Sequence, residues 1–194
     1  MKTLEAAEKA RQAGKRHRPE PVPEKVTYLI PPNAEWFYLA GGREPESEMW
    51  SRLGLDPKEE GWKSGRAGFG YGDGNERTTL EGMRNNYTAM FIRREFEIPA
   101  GTDLQRIGLV INYDDAFVVH VNGRELLARQ IERGGDGTVR VNPHEAKGAE
   151  YYSLSEFSDA FKVGRNVIAL AGHNHQKESS DFTLDPYLVV EEGE

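Results

Sequence analysis

The chain lacks cysteine altogether. Disulfide bonds, zinc–thiolate sites and cysteine nucleophiles are therefore excluded. It also lacks any apolar run approaching about 18 residues, so no transmembrane helix is predicted. The opening "MKTLEAAEKARQAGK" contains no apolar segment of the signal-peptide kind. The sequence therefore offers neither a membrane span nor an export signal.

The chain has fewer basic residues than acidic ones. The chain has 25 lysines and arginines against 32 aspartates and glutamates, which gives a net charge of −7. Nucleic acids are bound through basic surfaces, so we expect no nucleic-acid partner. The basic run "KARQAGKRHR", residues 9–18, is interpreted as part of a solvated tail.

The common catalytic signatures are missing as well. There is no GxSxG elbow and no P-loop. "GFGYGDG" places glycines at positions 68, 70, 72 and 74. A dinucleotide-binding loop needs a strand before it and a helix after it, and "NERTTLEGM" does not supply that helix. We therefore predict a protein that is not an enzyme.

Short strands and frequent turns are what the sequence does contain. Its 21 glycines and 10 prolines separate apolar stretches such as "VTYLI", "RIGLVINY", "AFVVHV" and "DFTLDPYLVV". This spacing predicts an all-β antiparallel sandwich with one or two short helices, including one over residues 153–161 with a serine N-cap. The predicted organisation is an N-terminal arm (residues 1–25), a sandwich (26–190) and an acidic tail (191–194).

The sequence also predicts local features of the arm and of one strand. The arm contains "TLEAAEKARQA", which favours helix but has little apolar surface to bury. In "NYTAMFIRREFEIPAG" the apolar residues change face midway, which predicts a β-bulge near Arg93 and Arg94.

The stretch "NYDDAFVVHVNGRELLAR" gives the strongest turn signal. Asn122 and Gly123 tolerate the positive φ of a two-residue type I′ turn. The resulting register pairs Val121 with Arg124, His120 with Glu125, and Val119 with Leu126. Strand alternation sends the side chains of Asp114 and Asp115 to opposite faces. Asp115 falls on the apolar face, where it needs backbone N–H partners or a cation, so a structural role is predicted.

Several quoted stretches together resemble a known family. "GWKSGRAGFGYGDG", "FIRREFEIP", "INYDDAFVVHVNGREL", "VGRNVIALAGHN" and "SSDFTLDPYL" occur in the order found in galactose-binding-domain-like jelly rolls. These modules are appended to bacterial secreted hydrolases and surface proteins, and the later stretches are also similar to the sugar-binding domain of β-galactosidases and β-glucuronidases. The resemblance covers roughly residues 33–190. Ala171 stands where that family often has a glutamate.

The resemblance implies a jelly-roll sandwich that binds carbohydrate through loops at one end, as an extracytoplasmic accessory module. Sugar recognition uses aromatic faces and a few directional polar groups. The residues predicted to bind ligand are Trp50, Arg66, Tyr87, Arg93, His173 and His175. Trp62 and Tyr71 lie inside the glycine-rich motif and are predicted to fill the core.

A structural calcium ion is the metal that the resemblance implies. The glycine-rich loop and the last strand carry hard oxygen ligands, and the predicted metal ligands are Asp73, Asn75, Asp181 and Asp185. The loop is not an EF-hand, because Arg77 stands where a third ligand would be. His173 and His175 share a strand face and form a weaker transition-metal candidate. Turn capping by the same acids is the alternative.

Two other functions stay open at this point. The first is a docking or structural subunit whose N-terminal arm clasps a partner protein. The second is a hydrolase, for which Asp114, Asp115 and His173 are the only catalytic group available, with His120 nearby in sequence. An ordered arm against another chain would favour the first alternative.

Overall fold

The computed structural model describes residues 18–41, 45, 48–136 and 138–193. In chain order the first strands are β1 (Val26–Ile30), β2 (Glu35–Ala40), β3 (Lys63–Arg66), β4 (Phe69–Tyr71), β5 (Thr78–Thr79), β6 (Ala89–Ile98) and β7 (Ile107–Asp114). The remaining strands are β8 (Ala116–Val121), β9 (Arg124–Arg129), β10 (Ile131–Arg133), β11 (Val139–Val141), β12 (Glu150–Ser153), β13 (Gly164–His173) and β14 (Phe182–Glu191). Three short 3-10 helices cover Glu48–Ser51, Leu104–Arg106 and Ser155–Ala160.

The strands form two main sheets and one separate hairpin. Sheet A has the order β12-β7-β14-β4-β5, with β1 also paired to β14. Sheet B has the order β3-β2-β6-β13-β8-β9, and β10 pairs with β11 alone. Nearly every pairing is antiparallel, and only the short β4–β5 pair is parallel among the described strands. The predicted all-β jelly-roll sandwich is confirmed.

The core lies between the inner faces of the two sheets. Apolar residues at alternate positions form this core, because every second residue of a strand points to the same face. On β8 the inward residues are Phe117, Val119 and Val121, each fully buried. The predicted faces of this strand are therefore the observed ones.

The outer face of sheet B carries a second apolar layer. Its members come from the sheet itself and from the segment between β2 and β3: Trp50, Trp62, Ala89, Phe91, Val118, Ala169 and Ala171. Small alanines make a low floor here, and the two tryptophans cover it. Sheet B is thus apolar on both faces along β6, β8 and β13.

Arg93 holds the segment between β2 and β3 on that outer face. It is 1% exposed. Its guanidinium donates to the carbonyl oxygens of Trp50 at 3.0 Å, Arg52 at 3.0 Å and Leu55 at 3.4 Å. Because these donors are already bonded within the fold, Arg93 is an anchor and does not supply the predicted ligand contact.

The predicted bulge at Arg93 and Arg94 is wrong. β6 pairs with β13 in unbroken register from Ala89 to Ile98. The apolar pattern changes along β6 because both of its faces are covered near Ala89 and only the inner face is covered near Ile98. The second apolar cluster on β6 therefore gave the sequence the same pattern that a β-bulge would give.

The Asn122-Gly123 hairpin has the predicted turn and a different register further on. Both residues have positive φ, 51° and 85°. Val121 pairs with Arg124 and His120 with Glu125 as predicted, but Val119 pairs with Leu127 because the register shifts between Val119 and His120. Asn122 also bonds away from the turn, donating to Ala160 O and Asn166 Oδ1 and accepting from Val167 N.

The helix-favouring "TLEAAEKARQA" lies outside the described residues. Residues 153–161 contain a 3-10 helix whose N-cap is Leu154, which makes no side-chain capping bond, so the predicted serine cap is wrong. Among the described residues, no helix is long and apolar enough to cross a membrane.

Candidate ligand-binding cavity and acidic group

A cavity of about 500 Å³ lies on the outer face of sheet B, between the Trp50 segment and the β10–β11 hairpin. We call it the sheet B cavity. Its apolar lining is Trp50, Ala89, Phe91, Val118, Ile131, Val139, Val141 and Ala171. Its polar lining is Thr88, His120, Glu125, Arg133 and His173. The lining is thus mixed, with polar and apolar groups in similar proportion. The volume falls within the range of roughly 300–1,000 Å³ found for small-molecule sites.

Aromatic rings build one wall of the sheet B cavity. The Trp50 ring meets Phe91 edge-on at 5.4 Å between centroids and His120 at 5.2 Å. His173 meets the other side of Phe91 at 6.4 Å. Trp50, in the segment between β2 and β3, is buried at 5% exposure. Only part of the indole therefore faces the cavity.

Paired charges build the opposite wall. Arg133 bonds Glu125 with both arms of its guanidinium, at 2.8 and 2.9 Å. His120 Nε2 lies 3.9 Å from Glu125 Oε2, which also accepts from Arg133, across the predicted hairpin pair. The wall thus offers both donors and acceptors with little net charge, which suits hydroxyl groups.

His173 contributes a neutral imidazole to the same cavity. Burial lowers its pKa, and the Arg133 guanidinium lowers it further. At pH 7 the ring is therefore uncharged and carries one donor nitrogen and one acceptor nitrogen.

The other predicted ligand-binding residues do not reach this cavity. Arg66 lies on β3 with its guanidinium 3.5 Å from Asn33 O. Tyr87 packs against the core between the sheets. His175 is bound to Asp115. Of the six predicted residues, the structure brings only Trp50 and His173 together around the sheet B cavity.

Asp115 has the environment expected of an inward carboxylate. It is 4% exposed and accepts hydrogen bonds from His144 N, His175 N and His175 Nδ1, at 2.8, 2.8 and 2.7 Å. It therefore ties the loop before β12 and the loop after β13 to the start of β8. The hydrogen-bonding needs of this buried carboxylate are thus met within the fold.

The predicted core residues of the glycine-rich motif are also placed. Trp62 is buried in the outer layer of sheet B at 6% exposure. The Tyr71 hydroxyl donates to Ser179 O at 3.1 Å and lies 3.2 Å from Asn174 Nδ2. Both side chains hold neighbouring segments in place.

Three carboxylate side chains lie close together near Tyr71. Asp114, Glu145 and Asp181 each offer an oxygen atom within 4.8 Å of the others. We call them the acidic group. Burial, with the charges of Asp115, Asp181 and Glu145, raises the pKa of Asp114 to about 7. A cation would relieve this repulsion, so the group has the chemistry of a site for a hard ion.

The predicted calcium ligands are not gathered in this way. Asp185 accepts from Gly68 N at 3.0 Å and lies 3.5 Å from the Arg77 guanidinium. Asp73 accepts from Thr183 Oγ1 at 2.8 Å. Arg77 thus supplies the positive charge beside Asp185, and Asn75 lines the same small polar cavity without joining the acidic group. Only Asp181 of the predicted four belongs to the acidic group.

The hydrolase group proposed from the sequence does not converge. Asp114 faces Glu145 and Asp181, Asp115 faces His175, and His173 faces the sheet B cavity. The two histidines of "HNH" likewise have different neighbours, because β13 ends at His173.

Some site residues gave little signal in the sequence. Arg133, Phe91 and Glu145 were not singled out, because no motif in the sequence marks them as site residues. Glu145 lies in a loop with no regular pattern. Arg133 reaches the sheet B cavity only because β10 follows β9 closely and Glu125 holds its side chain.

Comparisons with solved structures agree with this architecture. A β-glucuronidase from Ruminococcus gnavus matches at 13% identity with a TM-score of 0.54, over 89% of this chain and 31% of that chain. A β-glucuronidase from an uncultured Clostridium matches at 11% identity with a TM-score of 0.50, over the same shares. A glycosyl hydrolase family 2 member from Bacteroides cellulosilyticus matches at 13% identity with a TM-score of 0.50, over 80% of this chain and 20% of that chain.

These likenesses define the class of fold. The chain has a β-sandwich fold similar to that of parts of these glycoside hydrolase structures, and it spans less than a third of their length. No protein family model matches the chain. No curated protein matches it either.

Proposed function

We propose that this chain is a non-catalytic carbohydrate-binding module that holds its ligand in the sheet B cavity. The observation that carries the proposal is the cavity itself, with aromatic rings on one side and paired polar groups on the other. Carbohydrates present apolar C–H faces together with hydroxyl groups, so they match both walls. The sandwich relationship to glycosyl hydrolase domains supports the same class of ligand.

The site differs from the one that the sequence suggested. A ligand in the sheet B cavity lies against the open face of a sheet, under a hairpin and a covering segment, and not at the loop end of the sandwich. The polar contacts come from His120, His173 and the Glu125–Arg133 pair. Because His173 is neutral at pH 7, it can donate to one hydroxyl and accept from another.

A glycan array and affinity gels test this proposal. We expect retention of the wild-type chain on one class of polysaccharide and loss of retention in Trp50→Ala. Removing a buried tryptophan costs about 3–5 kcal/mol of stability, so Ala171→Leu, which fills the cavity, is the second variant. Absence of retention on every glycan, together with co-purification of a partner protein, would replace this proposal with the docking-subunit alternative.

We also propose that the acidic group holds a structural calcium ion. The group has three carboxylates close together, and burial and like charges raise the pKa of one of them, Asp114, to about 7. Such a group suits a hard divalent cation. Asp114, Glu145 and Asp181 would hold the ion, which would fasten the loop before β12 to the loop before β14.

Thermal unfolding with calcium and with EDTA tests the calcium proposal. Binding to the native state alone stabilises it by RT ln(1 + [L]/Kd), so calcium should raise Tm by a few degrees. Glu145→Gln should abolish the rise, because Glu145 is exposed and its removal leaves the core intact. Glu59→Gln is the matched control, an exposed glutamate in the segment between β2 and β3. Equal Tm values with calcium and EDTA would refute the proposal.

A further inference from the structure

The charges that line the sheet B cavity balance one another. Among the described lining residues, Glu125 and Arg133 are the ionised groups at about pH 8, where imidazole side chains are ordinarily neutral. Arg133 donates to both oxygens of Glu125, at 2.8 and 2.9 Å. Two parallel charge-assisted bonds of this kind are among the strong hydrogen bonds of proteins. The guanidinium that faces the cavity is therefore already neutralised by a carboxylate of the fold.

The position of Glu125 places a negative charge in the path of an anionic ligand. Glu125 lines the cavity itself, and its Oε2 lies 3.9 Å from His120 Nε2. A ligand carboxylate that approached Arg133 would therefore come close to a second carboxylate. Like charges at close range disfavour binding, so the cavity suits an uncharged ligand better than an anionic one.

The hydrogen-bonding capacity of the cavity also favours hydroxyl groups over carboxylates. The ionised Glu125 side chain only accepts hydrogen bonds, and the neutral His173 ring has one acceptor nitrogen. A hydroxyl group can donate to these acceptors, whereas an ionised carboxylate has no hydrogen to donate. The apolar floor, which includes Val118 and Ala171, cannot replace the water that an anion would lose on entry.

We propose that the sheet B cavity selects uncharged sugar residues and rejects uronates, and that Glu125 determines this specificity. The inference rests on the proposed function, because it names the class of carbohydrate that the same cavity takes. Hydroxyl groups of the ligand donate to Glu125 and to the acceptor nitrogen of His173, while Arg133 stays paired with Glu125. A uronate would have to separate that pair to reach the guanidinium.

Affinity gels with matched polymers test the inference at about pH 8, where neither lining histidine adds charge. The probes are neutral hexose polysaccharides, each beside the same polymer oxidised at C6 to the uronate. We expect retention of the wild-type chain on at least one neutral polymer, and retention on its oxidised form weaker by roughly tenfold or more. Equal or stronger retention on oxidised polymers overturns the inference and leaves carbohydrate binding standing. Absence of retention on both series refutes the proposed function itself.

The net charge of −7 would repel a polyanion from the whole chain, so matched variants must separate this effect from the cavity. Glu125→Gln removes the carboxylate that neutralises Arg133 and should raise retention on the oxidised polymer severalfold. Glu24→Gln changes the net charge equally, at an exposed position just before β1 of sheet A, and should leave the preference unchanged. Equal shifts in the two variants overturn the role of Glu125.

The arginine of the pair gives a second test if Glu125→Gln does not fold. Arg133→Gln leaves Glu125 without its cation, so retention on the oxidised polymer should weaken further. Arg140→Gln, at an exposed position on β11, is the control of equal net charge and should have no such effect. Circular dichroism establishes that each variant is folded. Unchanged discrimination in folded Arg133→Gln, or equal changes in the two arginine variants, overturns the inference.

Discussion

At the scale of single residues, the adjacent acids Asp114 and Asp115 show how far sequence reasoning reaches. Strand alternation predicted opposite faces for them. Their carboxylates do have different partners, but the reason is that the chain passes from β7 in sheet A to β8 in sheet B at this point. The donors to Asp115 could not be predicted, because His144 and His175 approach from loops 29 and 60 residues away. Contacts between residues far apart in the sequence decide which donors meet the carboxylate, and the alternation of residues along a strand does not reveal them.

Replacing Asp115 should destabilise the fold strongly. Asp115→Ala leaves two buried backbone N–H groups without their acceptor, which should cost about 2–4 kcal/mol. Urea unfolding measures this as a lower midpoint at constant m. Asp159→Ala is the matched control, since its side chain is 71% exposed and bonds only Arg124, and it should cost less than about 1 kcal/mol. Equal effects of the two variants would contradict the role assigned to Asp115.

Asp114 should make stability depend on pH. Its folded pKa, about 7, lies above the unfolded value, so the folded state holds the proton more tightly. Its ionisation therefore destabilises the fold progressively as pH rises from about 4 to about 7, by roughly 1.4 kcal/mol per pKa unit. With EDTA present, Asp114→Asn should gain stability over the wild type across that interval and then level off. A difference that is flat from pH 4 to 8 would contradict the raised pKa.

At the scale of elements, the hairpin turn could be predicted from the sequence, whereas the burial of both faces of β6 could not. The Asn122-Gly123 turn was predictable because its backbone geometry restricts the residue types that fit. The course of β6 was not, because the sequence does not reveal that the Trp50 segment covers its outer face. Arg93 appeared to be a ligand contact for the same reason, since the carbonyl oxygens it binds lie about 40 residues earlier in the chain.

A glycine substitution tests the turn. Gly123 has φ 85°, which side chains with a Cβ adopt at a cost of about 1–2 kcal/mol, and an added Cβ would lie 2.7 Å from Arg52 Cγ. Gly123→Ala should therefore lower the free energy of unfolding by at least that amount. Gly135→Ala, between β10 and β11, meets nothing within 4 Å and should be nearly neutral. Denaturant unfolding of the two variants side by side measures the contrast, and an equal response would argue against the turn geometry.

At the scale of the whole molecule, the sandwich was predictable and the cavity was not. Strand spacing and the family resemblance both indicated an all-β sandwich, and the comparisons with solved structures agree. The sheet B cavity lies between the Trp50 segment and the β10–β11 hairpin, which are far apart in the sequence. Alanines of β6 and β13 form its floor. Trp50 and His173 were expected to bind ligand, but the partners they share could be identified only from the fold.

Retention on immobilised glycans, compared between the wild type and Ala171→Leu, tests the central claim most directly. Ala171 lines the sheet B cavity, so a leucine there occupies ligand volume without removing a contact of the fold. Ala100→Leu, the same change at an exposed position, is the control. We expect the wild type and Ala100→Leu to be retained on the same glycan and Ala171→Leu to pass through while remaining folded. Retention of folded Ala171→Leu equal to that of the wild type, or no retention of the wild type on any glycan, would contradict a carbohydrate site in this cavity.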